Sequence, residues 1–262
     1  MSETTSPTAP SGELTLLGRV RSASNATFYA ALAQDDGSEL EVVYKPIAGE
    51  RPLWDFPDGK LAYREVAAYL VSELLGWNVV PQTWLADGPH GPGMVQRWCH
   101  ADEEQEAVTI VPGTEAPPGW HHVFEGFDAR DRVVSLVHEE SVPLRRMAVF
   151  DAVVNNADRK GGHVLEMPDG HRYGIDHGLT LHREPKLRTV LWGWAGEPLT
   201  DEEAAAVARL RDGLYGSEAD ELGEYLASWD VDALADRCDR LLAAGTMPEP
   251  RGDHRAIPWP PF

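Results

Sequence analysis

The chain is poor in the features that mark stapled, secreted or membrane-spanning proteins. Its two cysteines, Cys99 and Cys238, lie far apart and form no CxxC pair. That excludes a disulfide framework and a structural zinc, and it points to a reducing, cytoplasmic setting. No apolar run approaches the roughly 20 residues of a spanning helix, so stable membrane insertion is not expected. The opening MSETTSPTAPSGE has no basic region followed by an apolar core, so it does not read as a secretory leader. Lys and Arg never gather into a block, and the 262 residues carry a formal net charge of −20. Such a surface repels nucleic acid and anionic lipid at long range, which excludes a nucleic-acid partner. No internal repeat and no HExxH or HxH unit occur.

What is present reads as a soluble α+β chain of one large domain or two lobes. Residues 1–12 are rich in Ser, Thr and Pro and are expected to be disordered. Residues 13–99 read as a sheet-rich lobe. ELTLLGRVRSASNATFYAALAQDDGSELEVVYKPI holds three short strands with turns at SASNA and QDDGSE, an antiparallel meander. DGKLAYREVAAYLVSELLGW has apolar residues at helical spacing and stops at Gly76. VVPQTWLA and GPGMVQRWC add two strands across a Gly/Pro turn.

Residues 100–246 read as mostly helical. Their opening, ADEEQEAVTIVPGTEAPPGW, is expected to be a connector or surface excursion. Helical patterns follow in SVPLRRMAVFDAVVNNA, DEEAAAVARLRDGL, SEADELGEYLAS and DVDALADRCDRLLAAG. Residues 247–262 are Pro-rich and read as a tail that packs in extended form or stays mobile.

Chemistry concentrates in residues 155–182, NNADRKGGHVLEMPDGHRYGIDHGLTLH. VLEM and HRYGID are short alternating runs bridged by Pro168-Asp169-Gly170, a hairpin signal. Closing that hairpin brings Asp158 and His163 beside Asp176. Three oxygen or nitrogen donors would then meet, able to hold a divalent ion and leave one carboxylate as a base. Upstream, Lys45 ends the apolar run EVVYKP, and Glu65 follows on the polar side of the next helix. A strand lysine held by a helical glutamate is how kinases aim an ammonium at nucleotide phosphates. The turn SASNATF, with Ser24 and Asn25, offers backbone N–H groups that could cover phosphates.

In this order the parts resemble an atypical kinase of the protein-kinase-like fold. The likeness is to the phosphatidylinositol 3/4-kinase-like branch and its bacterial relatives, including HipA-type kinases. DRKGGH resembles that branch's D-R-x-x-x-N catalytic loop, and GIDHG resembles its metal-binding I-D-F-G. The resemblance spans residues 13–246. It implies a two-lobed fold, with an antiparallel N-lobe sheet carrying one helix and a mostly helical C-lobe. It implies ATP and Mg²⁺ or Mn²⁺ as cofactors, with Asp158 as catalytic aspartate and Asp176 as metal ligand. Lys45 would contact phosphate and Glu65 would position it, while Gln96, Arg97 and Trp98 would form the hinge that meets adenine.

Two positions depart from the pattern. His163 stands where the family has Asn, and nitrogen tolerates Mn²⁺ better than Mg²⁺. His177 replaces the usual aromatic. Three functions stay open. The first is a phosphotransferase acting on a hydroxyl of a small molecule, lipid or protein. The second is a nucleotide-binding pseudokinase with a regulatory or scaffolding role. The third is a metal-dependent hydrolase built on Asp158, His163, Asp176, His177 and His182. HREPKLRTVLWGWAGEPL, with Trp192 and Trp194, reads either as core packing or as a substrate platform. His121, His122, His138 and His171 read as surface or loop histidines.

Overall fold

The computed structural model describes residues 9–20, 25–51, 53–57, 59–252 and 255–262. Of the disordered tail expected over residues 1–12, residues 1–8 lie outside the described residues, as does Ser24 with its expected phosphate-covering role.

Three strands form the meander: β1 (Leu14–Arg19), β2 (Phe28–Ala33) and β3 (Glu39–Pro46). Helix α1 (Leu61–Leu75) follows, then β4 (Thr83–Gly88) and β5 (Gly91–Arg97). The five strands make one antiparallel sheet in the order β1-β2-β3-β5-β4, which puts β3 at its centre. Helix α1 is built from Ala, Leu, Glu and Tyr with few β-branched residues, and it ends at Gly76 with a φ of 74°. Its first N–H groups are capped from outside the helix: the Glu50 carboxylate accepts from Leu61 at 3.1 Å and Ala62 at 2.8 Å.

The second lobe departs from expectation. Residues 108–112, placed above in a connector, form β6 (Val108–Pro112), which pairs with β8 (Val133–Glu139), itself flanked by β7 (Trp120–Phe127). The lobe is thus helical with a three-stranded sheet at its entrance. The acidic and proline-rich flanks of VTIVP mask a β-branched run suited to a strand, of which Val108 is buried and Ile110 exposed.

Helix α2 (Val142–Val154) starts where the Ser141 hydroxyl accepts the Leu144 N–H, and it ends at Asn155, φ 54°. The hairpin β9 (Val164–Glu166) and β10 (Arg172–Gly174) follows, then α3 (Asp201–Gly213), α4 (Ser217–Gly223) and α5 (Ser228–Ala244). A Thr200–Glu203 capping box opens α3.

Two main hydrophobic clusters match the two lobes. The smaller holds Leu14, Leu32, Tyr44, Trp84 and Val95 between strands of the first sheet. The larger joins α1, α2, α3 and α5 with Leu136, Leu181 and Trp194. Helix α1 therefore packs on the helical lobe while carrying Glu65 under the sheet. No helix among the described residues is long and apolar enough to cross a membrane.

Candidate active site

Lys45 and Pro46 close β3, and both lie opposite β5, in register with Met94 and Gly93. The Lys45 ammonium donates to Glu65 Oε1 at 2.6 Å and to Asp176 Oδ1 at 2.8 Å. Glu65 is buried rather than on a polar helix face, and its second oxygen accepts the His177 N–H at 3.0 Å. Asp176 adopts a φ of 61°, a left-handed conformation that aspartate tolerates better than most residues. That turn lets one residue aim its carboxylate at Lys45 while the next offers its N–H to Glu65. Half of the Asp176 side chain faces solvent.

The charges respond to this packing. Burial opposes the Lys45 charge, yet Asp176 and Glu65 outweigh it and hold the ammonium pKa above its usual value. Lys45 in turn holds the half-exposed Asp176 carboxyl well below the usual carboxylate range. Burial raises Glu65, with Lys45 opposing.

The loop after α2 supplies the opposite wall. Arg159 is fully buried, and its guanidinium donates to Asp151 at 2.9–3.2 Å, to the His163 carbonyl at 3.1 Å and to the Ile175 carbonyl at 3.3 Å. It also donates to His177 Nε2 at 2.7 Å. One side chain thus ties the 158–163 loop, the 175–177 loop and α2 together, and Gly174 leaves it room: a Cβ there would sit 2.8 Å from the guanidinium. Asp158 lies 3.2 Å from the Lys160 ammonium. Burial raises the Asp158 pKa, and Lys160 opposes the shift. His163 Nδ1 lies 2.9 Å from the Asp158 carbonyl. A carbonyl only accepts, so this nitrogen carries the proton and Nε2 presents a lone pair. That lone pair faces Asp176 Oδ2 at 3.5 Å, and burial pushes the imidazole pKa down to about 4.

Lys45, Glu65, Asp176 and His163 therefore meet. Asp158, paired with Lys160, still feels the Asp176 charge, which adds to the rise in its pKa. Among the described residues, no group of three or more His, Cys, Asp or Glu is arranged to hold a metal ion. The five residues of the hydrolase reading do not converge. The buried His177 ring stacks edge-on to Phe150, and His182 packs on Phe56 while its Nδ1 accepts the Glu184 N–H.

The remaining candidates have other partners. Asn25 Oδ1 accepts the Arg51 N–H at 3.2 Å. Gln96 is buried and donates to Thr83 at 2.9 Å, so its side chain is spent inside the sheet. Trp98 stacks edge-on to Tyr29 and gives its backbone N–H to Glu41.

Trp194 is fully buried, with its indole N–H on Glu140, and so is core rather than platform. His138 is also fully buried, not a surface histidine: its Nε2 accepts the Gly193 N–H at 3.0 Å. Sequence reasoning missed Asp151 and the structural role of Arg159. The signal available was a lone aspartate inside the otherwise apolar AVFDAVV.

The fold and the site together define a class. An antiparallel sheet hands a lysine from its third strand to a glutamate on the one helix before its fourth, above a lobe supplying D-R and I-D loops, the order of parts with which kinases aim an ammonium at phosphate. No model of a known protein family matches it. It is 51% identical over 260 residues to Protein Rv2133c of Mycobacterium tuberculosis, across 96% of this chain and 93% of that protein. The chain belongs to the family of that protein. It is also 27% identical over 165 residues to Phosphatidylinositol 4-kinase gamma 5 of Arabidopsis thaliana. That match takes in 58% of this chain and spans a quarter (25%) of the plant protein's length. Among solved structures it is similar to the Helicobacter pylori proinflammatory kinase CtkA, with a TM-score of 0.46 and 13% identity over 90% of this chain and 93% of that one.

Proposed function

We propose that the protein is an ATP-dependent phosphotransferase that moves the γ-phosphate to a hydroxyl of its acceptor. The observation that carries this reading is the Lys45 ammonium held between Glu65 at 2.6 Å and Asp176 at 2.8 Å. A lysine so placed is pre-aimed: Glu65 fixes its direction, and phosphate oxygens can take over the contact now made by the half-exposed Asp176.

The donor set fits a divalent cation. A neutral imidazole and an ionised carboxylate point lone pairs at each other across 3.5 Å, an arrangement that a positive charge between them relieves. Asp176 and His163 are the residues that would hold the ion, and two protein donors suffice for a metal that also takes substrate phosphates. When bound, Mg²⁺ or Mn²⁺ supplies charge to offset the β- and γ-phosphates, and the nitrogen donor favours Mn²⁺.

Asp158 orients the acceptor hydroxyl and takes its proton, a task suited to a carboxylate whose burial raises its basicity. Lys160 stays close enough to balance its charge. Arg159 acts through the backbone, keeping the two loops in register. A net charge of −20 disfavours an anionic lipid surface as the acceptor's home and leaves small alcohols or protein side chains.

The test is release of phosphate from ATP in Mg²⁺ and in Mn²⁺, for the wild type, Asp158→Asn and Lys45→Met. The reading expects turnover in the wild type, faster with Mn²⁺, and roughly a hundredfold or greater loss in Asp158→Asn, the scale of general-base catalysis. ATP binding without turnover under either metal, unaltered by Asp158→Asn, would turn the assignment to a nucleotide-binding pseudokinase.

A further inference from the structure

We infer that residues 255–262 form a strap that positions the catalytic loop, with Pro261 and Phe262 as positioning residues. The consequence for turnover rests on the phosphotransfer reading; the strap itself rests on contacts.

Three N–H groups donate to two carbonyls of this segment. Thr189 N–H and the Trp192 indole N–H reach the Ala256 carbonyl at 3.0 and 2.9 Å, and Gly161 N–H reaches the Pro261 carbonyl at 2.8 Å. Residues 257–261 read Ile-Pro-Trp-Pro-Pro. These prolines remove three of the five backbone N–H groups of residues 257–261 and stiffen the stretch, so its backbone serves mainly as an acceptor rail. The loops beneath it have donors that no regular element satisfies, and a buried N–H needs a partner.

The segment also joins loops that are already coupled. Arg159 N–H donates to the Arg188 carbonyl, and Val190 N–H donates to the Arg159 carbonyl. Thr189 reaches Asp151 through its hydroxyl at 3.2 Å, and Asp151 is the partner of Arg159. The strap therefore lies over the 188–192 segment at one end and over the loop holding Asp158 and His163 at the other.

The two glycines of DRKGGH carry the clearest mark of this contact. A Cβ on Gly161 would sit 2.2 Å from the Phe262 ring, whereas a Cβ on Gly162 would meet nothing within 4 Å. Neither has a positive φ, and both belong to one 3₁₀ turn spanning Gly161–His163. Backbone freedom thus does not explain Gly161; the ring beside it does.

The test compares the full chain with Gly161→Ala, Gly162→Ala, Phe262→Ala, Phe262→Tyr and the Gly161→Ala/Phe262→Ala double variant. Amide hydrogen exchange across residues 158–163 is read first. Gly161→Ala and Phe262→Ala should each speed exchange by roughly tenfold or more, a free-energy scale measurable for contacting residues. Gly162→Ala and Phe262→Tyr should leave it unchanged, and the double variant should be no worse than the worse single one. In ATP turnover, the same two disruptive variants should lower kcat by roughly tenfold to a hundredfold, the cost of a misplaced reacting group. KM for ATP should stay within a factor of about two, since Lys45 and Asp176 are untouched.

Equal effects of Gly161→Ala and Gly162→Ala, or additive effects in the double variant, would overturn the strap. So would a rise in KM at constant kcat. A wild type that neither binds nor turns over ATP would remove the phosphotransfer reading instead, and the exchange arm alone would then decide the strap.

Discussion

Replacing Arg159 by methionine probes the pin of the site, and its cost can be worked from the contacts. The guanidinium is fully buried and donates to one carboxylate, two carbonyls and one imidazole nitrogen. Methionine keeps most of the volume, so the cavity contribution is small. The main cost is electrostatic. Asp151, also fully buried, keeps only the Asn156 amide at 2.9 Å and the Thr189 hydroxyl at 3.2 Å as donors.

Stranding one member of a buried ion pair costs about 3–5 kcal/mol. For a chain of this size, that is a fall in Tm of roughly 6–20 °C. Adding Asp151→Leu should restore part of the loss, because a buried pair replaced by apolar residues is often near neutral. Urea unfolding, followed by tryptophan fluorescence and by circular dichroism, measures both. A loss below about 1 kcal/mol for Arg159→Met, the scale of a surface pair, would refute the reasoning. A double variant worse than the single one would do the same.

Two further outcomes follow from packing and titration. His138 accepts the Gly193 N–H through Nε2, and burial pushes its pKa down to about 4. The unfolded chain binds a proton near pH 6.5 that the folded chain refuses until about pH 4. Stability is therefore full above pH 6.5 and falls as pH drops through that window, by about 2 kcal/mol from this residue between pH 7 and pH 5. His138→Gln should flatten the slope of Tm against pH, and an unchanged slope would contradict the assignment. Gly93 lies opposite Pro46, where a Cβ would sit 2.5 Å from the Lys45 carbonyl and 2.6 Å from the Tyr44 ring. Gly93→Val should displace the end of β3, lowering stability by about 1–3 kcal/mol, the usual cost of overpacking. It should weaken ATP binding as well, which isothermal titration calorimetry would detect.

Elements with a strong local signal were legible in the sequence. The meander, α1 with its Gly76 stop, the hairpin at Pro168-Asp169-Gly170 and the three late helices all carry periodicity or turn chemistry that tertiary packing does not override. Lys45, Glu65 and Asp176 could be read as neighbours because each falls at a recognisable edge: a strand end, a helix face, a hairpin exit. What escaped depends on distant partners. Strand β6 is brief and set among acids and prolines, and it becomes a strand by pairing with β8, which lies beyond β7 in the chain. The Asp151–Arg159 pair looked like a stray acid in an apolar helix beside half of a motif. Burial of His138 and Trp194 comes from docking the 192–194 turn against β7 and β8.

The most direct test of the central claim is the melting temperature with and without ATP, in Mg²⁺ and in Mn²⁺, for the wild type and Asp176→Ala. A ligand that binds only the folded state adds about 2.7 kcal/mol at a hundred times its Kd, enough to see in a melt. The account predicts an ATP shift that requires metal, is larger with Mn²⁺ and disappears in Asp176→Ala. No shift under any metal, or one that survives intact in Asp176→Ala, would contradict it.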